Sequence, residues 1–175
     1  MPSRLPAVAA IALAAIVVVS AQTGAREVGL VVAGGTVVTV DTAGRIIQTG
    51  AVAIDGTDIA AVDTGEAIAK QFHGRETIDA SGQIILPGLV NTHTHAPMVL
   101  YRGLADDLPL MEWLNSYIFP AESKTVSPEF VRAGTRLAAL EMIESGTTTF
   151  ADMYYFEEEI ARETRRIGLR GVLGQ

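Results

Sequence analysis

Apolar positions along this chain change their spacing several times. Leu5 to Val19 is apolar almost without a break, yet shorter than the about 20 residues a membrane span prefers. Short β-branched runs follow. Val28 to Val40 reads as strand-like with a Gly34-Gly35 turn inside it, and Arg45 to Ile54 and Asp58 to Val62 predict two further strands. Asp55-Gly56 marks a hairpin turn between those two. Glu66 to Phe72 predicts one or two helical turns, and Glu76 to Asp79 a short strand closed by Ser81-Gly82. Ile84, Ile85, Leu86, Leu89 and Val90, interrupted by Pro87-Gly88, predict one buried strand that runs on to His95.

Past a loop from Ala96 to Asp107 the period turns helical. Pro109 to Ile118 carries Met111, Trp113, Leu114, Tyr117 and Ile118, and Phe119-Pro120-Ala121-Glu122 is expected to end that helix. Ser127-Pro128 opens the next one, as N-cap and first helical residue. It runs to Ser145 and stops at Gly146. Val131, Leu137, Leu140 and Ile143 are its expected inward stripe. Thr147 to Ala151 predicts a strand, Phe156 to Ile167 a helix, and Leu169 to Leu173 a third strand. Strands alternating with helices from Ile84 onward predict an α/β unit with parallel strands.

Composition narrows the function. With 49% hydrophobic residues among 175, the chain can bury a core. A net charge of -7 without a basic run argues against nucleic acid and anionic membrane surfaces as partners. The absence of cysteine excludes disulfides, thiolate metal sites, a cysteine nucleophile and the cysteine-ligated zinc signature of base-flipping deaminases.

The candidate chemistry lies at the end of the Ile84 strand. His93 and His95 are two of only three histidines in the chain. Strand residues two apart share a face, so both imidazoles project to one place and can hold one divalent metal. His-x-His alone is a weak signal; the strand directly before it points to a metal. His73, beside Gly74 and Arg75, reads as a surface residue. Gly34-Gly35 has neither a following helix nor a Lys-Ser/Thr pair, which favours a hairpin over a phosphate loop. Asp152 leaves a strand end, where it reads as a cap or hydrogen-bond acceptor. Glu157, Glu158 and Glu159 open a helix that Arg165 and Arg166 close, so this charge run reads as a solvated face matched to the helix dipole.

The run Ile85-Leu86-Pro87-Gly88-Leu89-Val90-Asn91-Thr92-His93-Thr94-His95 resembles the first barrel strand of the amidohydrolase superfamily. The continuation from Ala96 through Arg102-Gly103-Leu104-Ala105-Asp106-Asp107 to Glu112-Trp113-Leu114 resembles its methylthioadenosine/S-adenosylhomocysteine deaminase branch, which has chlorohydrolase relatives. The resemblance covers residues 28 to 175. It implies a metal-dependent (β/α)8 TIM barrel preceded by a small β-sandwich portion. The chain then divides into residues 1–25, 26–83 and 84–175. Because a full barrel takes about 250 residues, the last stretch leaves room for about three strands. The expectation is the N-terminal part of a longer protein, its barrel truncated and inactive alone.

The resemblance further implies hydrolysis at a carbon-nitrogen bond outside peptides, above all deamination of an adenosine-type nucleoside or related heterocycle. His93 and His95 would hold a divalent metal, with zinc the expected ion, that lowers the pKa of bound water. The helix carrying Trp113 reads equally as a cover over the barrel mouth and as a pocket wall in which Trp113 or an apolar neighbour lines the site of a small-molecule substrate. By the resemblance Glu122 would accept hydrogen bonds from ribose hydroxyls. The general acid and the remaining ligands are expected outside these residues. A cyclic amide or chlorotriazine-type hydrolase is the alternative enzyme, and a non-catalytic fragment the alternative of another class. Homo-oligomerisation is left open. Residues 1–25, with Arg4 before the apolar run and Val19-Ser20-Ala21 or Thr23-Gly24-Ala25 as cleavage site, predict a signal peptide. The protein is then expected to be exported, periplasmic or extracellular, and membrane-anchored if the segment is uncleaved.

Overall fold

The structure, a computed structural model, describes residues 24–174. The signal segment expected over residues 1–25 therefore lies, up to residue 23, outside the described residues. No helix among the described residues is long and apolar enough to cross a membrane. Contacts divide the chain into two units, with the boundary between Ile85 and Leu86.

The first unit is a five-stranded sheet. Its long β1 (Arg26–Val38) pairs antiparallel with β2 (Ile46–Asp55), which pairs antiparallel with β3 (Asp58–Thr64). Asp55 faces Asp58 across the tight Gly56-Thr57 turn, where the hairpin was expected. The other edge of β1 takes β4 (Phe72–Asp79) and then β5 (Ile84–Ile85), both parallel. Helix α1 (Gly65–Gln71) starts on the Thr64 hydroxyl, which accepts from the Ala67 N–H, and lays Ile68 against Val28, Val31, Ala51 and Ala53.

Two expectations change in this unit. No hairpin forms at Gly34-Gly35: β1 runs straight through, and the register shifts there as at a bulge, with Gly34 at φ +90°. Ile84 and Ile85 do not belong to the strand that carries the histidines. They pair with Thr36 and Val37 of β1 instead. Pro87 cannot donate to a ladder, so the two segments separate around it.

The second unit is a parallel three-stranded sheet in the order β6 (Leu89–Thr94), β7 (Thr147–Met153), β8 (Arg170–Gly174). Helix α4 (Pro128–Glu144) precedes β7, and α5 (Glu157–Ile167) joins β7 to β8, so the chain repeats strand, helix, strand. Ser127 caps α4 by accepting from the Phe130 N–H, and Gly146 follows its end at φ +79°. Phe150, Val131, Ala138, Met142, Ile160 and Ala96 form the core. The strand expected to be buried is half open. Leu89 and Val90 are 50% and 62% exposed, because β6 has a strand neighbour on one side only among the described residues.

Helix α4 does not bury the predicted stripe. Val131 is inside, but Leu137, Leu140 and Ile143 are exposed, while Gly134, Thr135, Ala138 and Met142 face inward. Small residues win these positions because the chain after His95 presses closely on the helix. A Cβ on Gly134 would lie 2.6 Å from the Pro97 carbonyl oxygen.

The helix before α4 also departs from expectation. It does not end at Phe119-Pro120. Helix α2 (Leu110–Trp113) passes into a π turn (Leu114–Ile118) and on into α3 (Phe119–Thr125). Pro120 has no N–H and its ring crowds the carbonyl four residues back. The wider turn, in which the Phe119 N–H reaches back to the Leu114 carbonyl, takes up that conflict without breaking the helix.

The acidic start of α5 is not the solvated face its charges suggested. Glu157, Glu159 and Glu163 are all under 9% exposed. Arg132 and Arg136, on α4, reach across to Glu159 at 3.0 Å and to Glu163 at 2.7 Å, and Arg162 also pairs with Glu159. The Arg132 bond and then the Arg162 bond hold the Glu159 carboxyl below the usual range, and Arg136 does the same for Glu163.

Candidate functional site

The end of β6 delivers the two imidazoles together. Asn91 Oδ1 accepts from the His93 N–H at 3.2 Å, bracing the strand end. The His93 and His95 rings lie 5.1 Å apart at 80° to each other. His95 Nδ1 is 2.5 Å from the Met153 carbonyl oxygen. A carbonyl can only accept, so Nδ1 carries the hydrogen, and in the neutral ring the lone pair is then on Nε2. Orienting a ligand histidine through its second nitrogen is how proteins prepare imidazole for a metal. This donor set suits zinc or a similar divalent ion. Among the described residues no group of three or more His, Cys, Asp or Glu side chains is placed to hold a metal, and two imidazoles by themselves fall short of the three protein ligands that catalytic zinc usually takes.

Asp152 fixes the chain just beyond the pair. It sits opposite Thr94 in the β6–β7 register, is 5% exposed, and accepts from the Ala96 N–H at 2.6 Å through Oδ1. This is the acceptor role that its place at a strand end suggested. Its Oδ2 is buried without a partner. Burial pushes its carboxyl above the ordinary 3.8, while the Ala96 N–H and His95 pull the other way. A raised folded-state pKa means the group helps stability most below its unfolded value, and the help is lost as pH rises through the folded value. Asp152→Asn keeps an acceptor for Ala96 and removes the charge. In metal-free protein its melting temperature relative to the parent is expected to rise as pH increases from acid to neutral. A pH-independent difference would remove burial of this charge as the cause.

Beside His95 opens a cavity of about 520 Å³ lined by Met98, Trp113, Ile118, Glu122 and Tyr154. It brings together three of the four residues singled out in the sequence, His95, Trp113 and Glu122; His93 is not among its walls. Nine positions apart on an ideal α-helix, Trp113 and Glu122 would face roughly opposite ways at 3.6 residues per turn. The π turn between them advances fewer degrees per residue, and swings Glu122 back toward the Trp113 side.

Glu122 is only 8% exposed and accepts from the Tyr154 hydroxyl at 2.8 Å. Burial first, then the Glu122 carboxylate, push the Tyr154 phenol well above its ordinary range, so it stays a donor. Tyr154 and the Met153 carbonyl escaped the sequence reading. The usable signal was their place, just beyond Asp152 at the C-terminal end of a parallel strand, where such folds gather functional groups. Glu157 supports the same turn by accepting from the Tyr154 N–H at 2.5 Å.

Residues 84–175 match the amidohydrolase family. The chain is 51% identical over 152 residues to the 5-methylthioadenosine/S-adenosylhomocysteine deaminase of Syntrophobacter fumaroxidans, covering 87% of the chain and 34% of that protein. It is 52% identical over 120 residues to the 5'-deoxyadenosine deaminase of Methanocaldococcus jannaschii, covering 69% of the chain and 28% of the relative. The chain thus spans about a third of the length of the curated relatives it matches. Among solved structures, an adenosine deaminase from Xanthomonas campestris with bound zinc superposes with a TM-score of 0.82 at 37% identity, covering 85% of this chain and 34% of that one. Atrazine chlorohydrolase from Arthrobacter aurescens, complexed with zinc and atraton, shares the fold at a TM-score of 0.73 and 23% identity, covering 83% and 35%.

Proposed function

Since this chain belongs to the amidohydrolase family, we propose that it carries the opening metal-binding strand and part of the substrate pocket of a hydrolase that deaminates an adenosine-type nucleoside. The observation that supports this most is the placing of His95. Its Nδ1 is taken by the Met153 carbonyl, the His93 ring stands beside it, and it forms a wall of the cavity that holds Trp113 and Glu122.

In this reading Nε2 of His95 and a nitrogen of His93 hold a divalent ion, zinc. When bound, the ion supplies Lewis acidity that makes a hydrolytic nucleophile available near neutral pH. The chain's own residues bind and orient. Trp113 offers an aromatic face to a purine. Glu122 accepts hydrogen bonds from sugar hydroxyls, for which a carboxylate's two oxygens suit a vicinal diol. Asp152 holds the Ala96 N–H and so keeps the His95 backbone in place. The apolar lining from Met98 and Ile118 restricts water around the base. Arg4 and the apolar run after it support an exported protein.

A chimera tests the reading. Residues 84–175 replace the matching stretch of the Syntrophobacter fumaroxidans deaminase, and methylthioadenosine, 5'-deoxyadenosine and S-adenosylhomocysteine are offered with zinc. Deamination of at least one, followed by purine absorbance, is the expected result. A folded, zinc-loaded chimera that turns over none of them would overturn the assignment.

A further inference from the structure

The Met153-Tyr154 dipeptide at the end of β7 touches both halves of the cavity. The Met153 carbonyl takes His95 Nδ1, and one residue later the Tyr154 hydroxyl donates to Glu122 Oε1 at 2.8 Å. Tyr154 is itself anchored, by its N–H on Glu157 and by an edge-on contact with Tyr155 at 5.1 Å. No other side-chain donor reaches Glu122 among the described residues, and its second oxygen is neither bonded nor sealed off. A carboxylate this buried, with a single donor on one oxygen, keeps its other oxygen as an acceptor, and the residue is part of the cavity wall.

We propose that Tyr154 is a positioning residue: its hydroxyl occupies Oε1 of Glu122 and presents Oε2 to a hydroxyl-bearing, sugar-like part of the ligand. The inference rests on the nucleoside reading and adds the residue that sets sugar discrimination. Because one short dipeptide holds both His95 and Glu122, the spacing between the metal-facing and sugar-facing ends of the cavity is built into the backbone at the end of β7. Removing the hydroxyl frees the Glu122 carboxylate to rotate or take up water, and a ligand diol then meets no fixed acceptor.

Trp113 is the only tryptophan in the chain and lines the cavity, so its fluorescence reports binding directly, without metal or turnover. The full chain is titrated with adenosine and with 2',3'-dideoxyadenosine. The parent is expected to favour adenosine about tenfold or more, as for hydrogen bonds to a charged acceptor. In Tyr154→Phe that preference should collapse toward parity, while affinity for the dideoxy compound stays as in the parent, an outcome that general loss of structure would not give. A parent that binds neither compound, or both alike, sinks the nucleoside reading. A parent that discriminates and a Tyr154→Phe variant that discriminates equally sink the positioning role alone. Should Tyr154→Phe fail to fold, Glu122→Gln/Tyr154→Phe decides. Recovery of folding shows that the hydroxyl serves the Glu122 charge, and no recovery shows that it acts elsewhere and overturns the proposal.

Discussion

Gly134→Ala is expected to destabilise the second unit by about 1–3 kcal/mol, the usual cost of overpacking. In a unit of this size that lowers the melting temperature by about 4–8 °C per kcal/mol. The sign is what makes the test sharp. Gly134 lies inside α4, where helix propensity alone would favour alanine by about 1 kcal/mol. Packing opposes it. The new methyl would sit 2.6 Å from the Pro97 carbonyl oxygen and 2.7 Å from its Cα, both backbone atoms that cannot swing aside. Ala133→Gly, at the exposed neighbouring position, sets the propensity scale. If backbone preference ruled, the two substitutions would shift stability in opposite directions. The structure predicts that both lower it. The damage should also reach the site, because Pro97 follows Ala96, whose N–H is held by Asp152. A Gly134→Ala protein that melts higher than the parent would show that the contact between α4 and the chain after His95 is looser than described.

His95→Ala in the zinc-loaded chimera should lower kcat/KM for the best nucleoside by about 10³-fold or more. That is the scale of the several kcal/mol a Lewis-acidic ion contributes to a transition state. Zinc content should fall with it, since loss even of a group that merely orients a ligand costs about 10–100-fold in metal affinity. Two features make His95 the more sensitive of the pair. Its free nitrogen is defined by the bond to Met153, whereas His93 is held through its backbone N–H, and only His95 borders the cavity. A His95→Ala chimera with full zinc and full activity would remove the metal role from this residue.

The order of strands and helices, and the pairing of the histidines, could be read without coordinates because each rests on local physics. A strand has a period of two, which brings His93 near the end of β6 and His95, the first residue past it, close together, with ring centroids 5.1 Å apart. Ser127 satisfies orphan N–H groups at the start of α4, and Gly146 takes up the left-handed backbone after its end. The Gly56-Thr57 turn is equally local.

Other features depended on distances between segments far apart in the chain. Hydrophobicity states which side chains favour burial, not how closely two backbones approach, so Leu137, Leu140 and Ile143 looked like the inner face of α4 until Pro97 was seen against Gly134. Ile84 and Ile85 suit either sheet, and only the pairing with β1 settles where they lie. Glu159 read as part of a solvated face until Arg132 arrived from another helix, from which Arg136 likewise reaches the buried Glu163. The bonds that orient His95 and Glu122 come from a backbone carbonyl and a tyrosine, groups whose roles depend wholly on what folding brings within reach. Short-range preferences set which elements form; contact between them sets which faces, charges and lone pairs remain free to act.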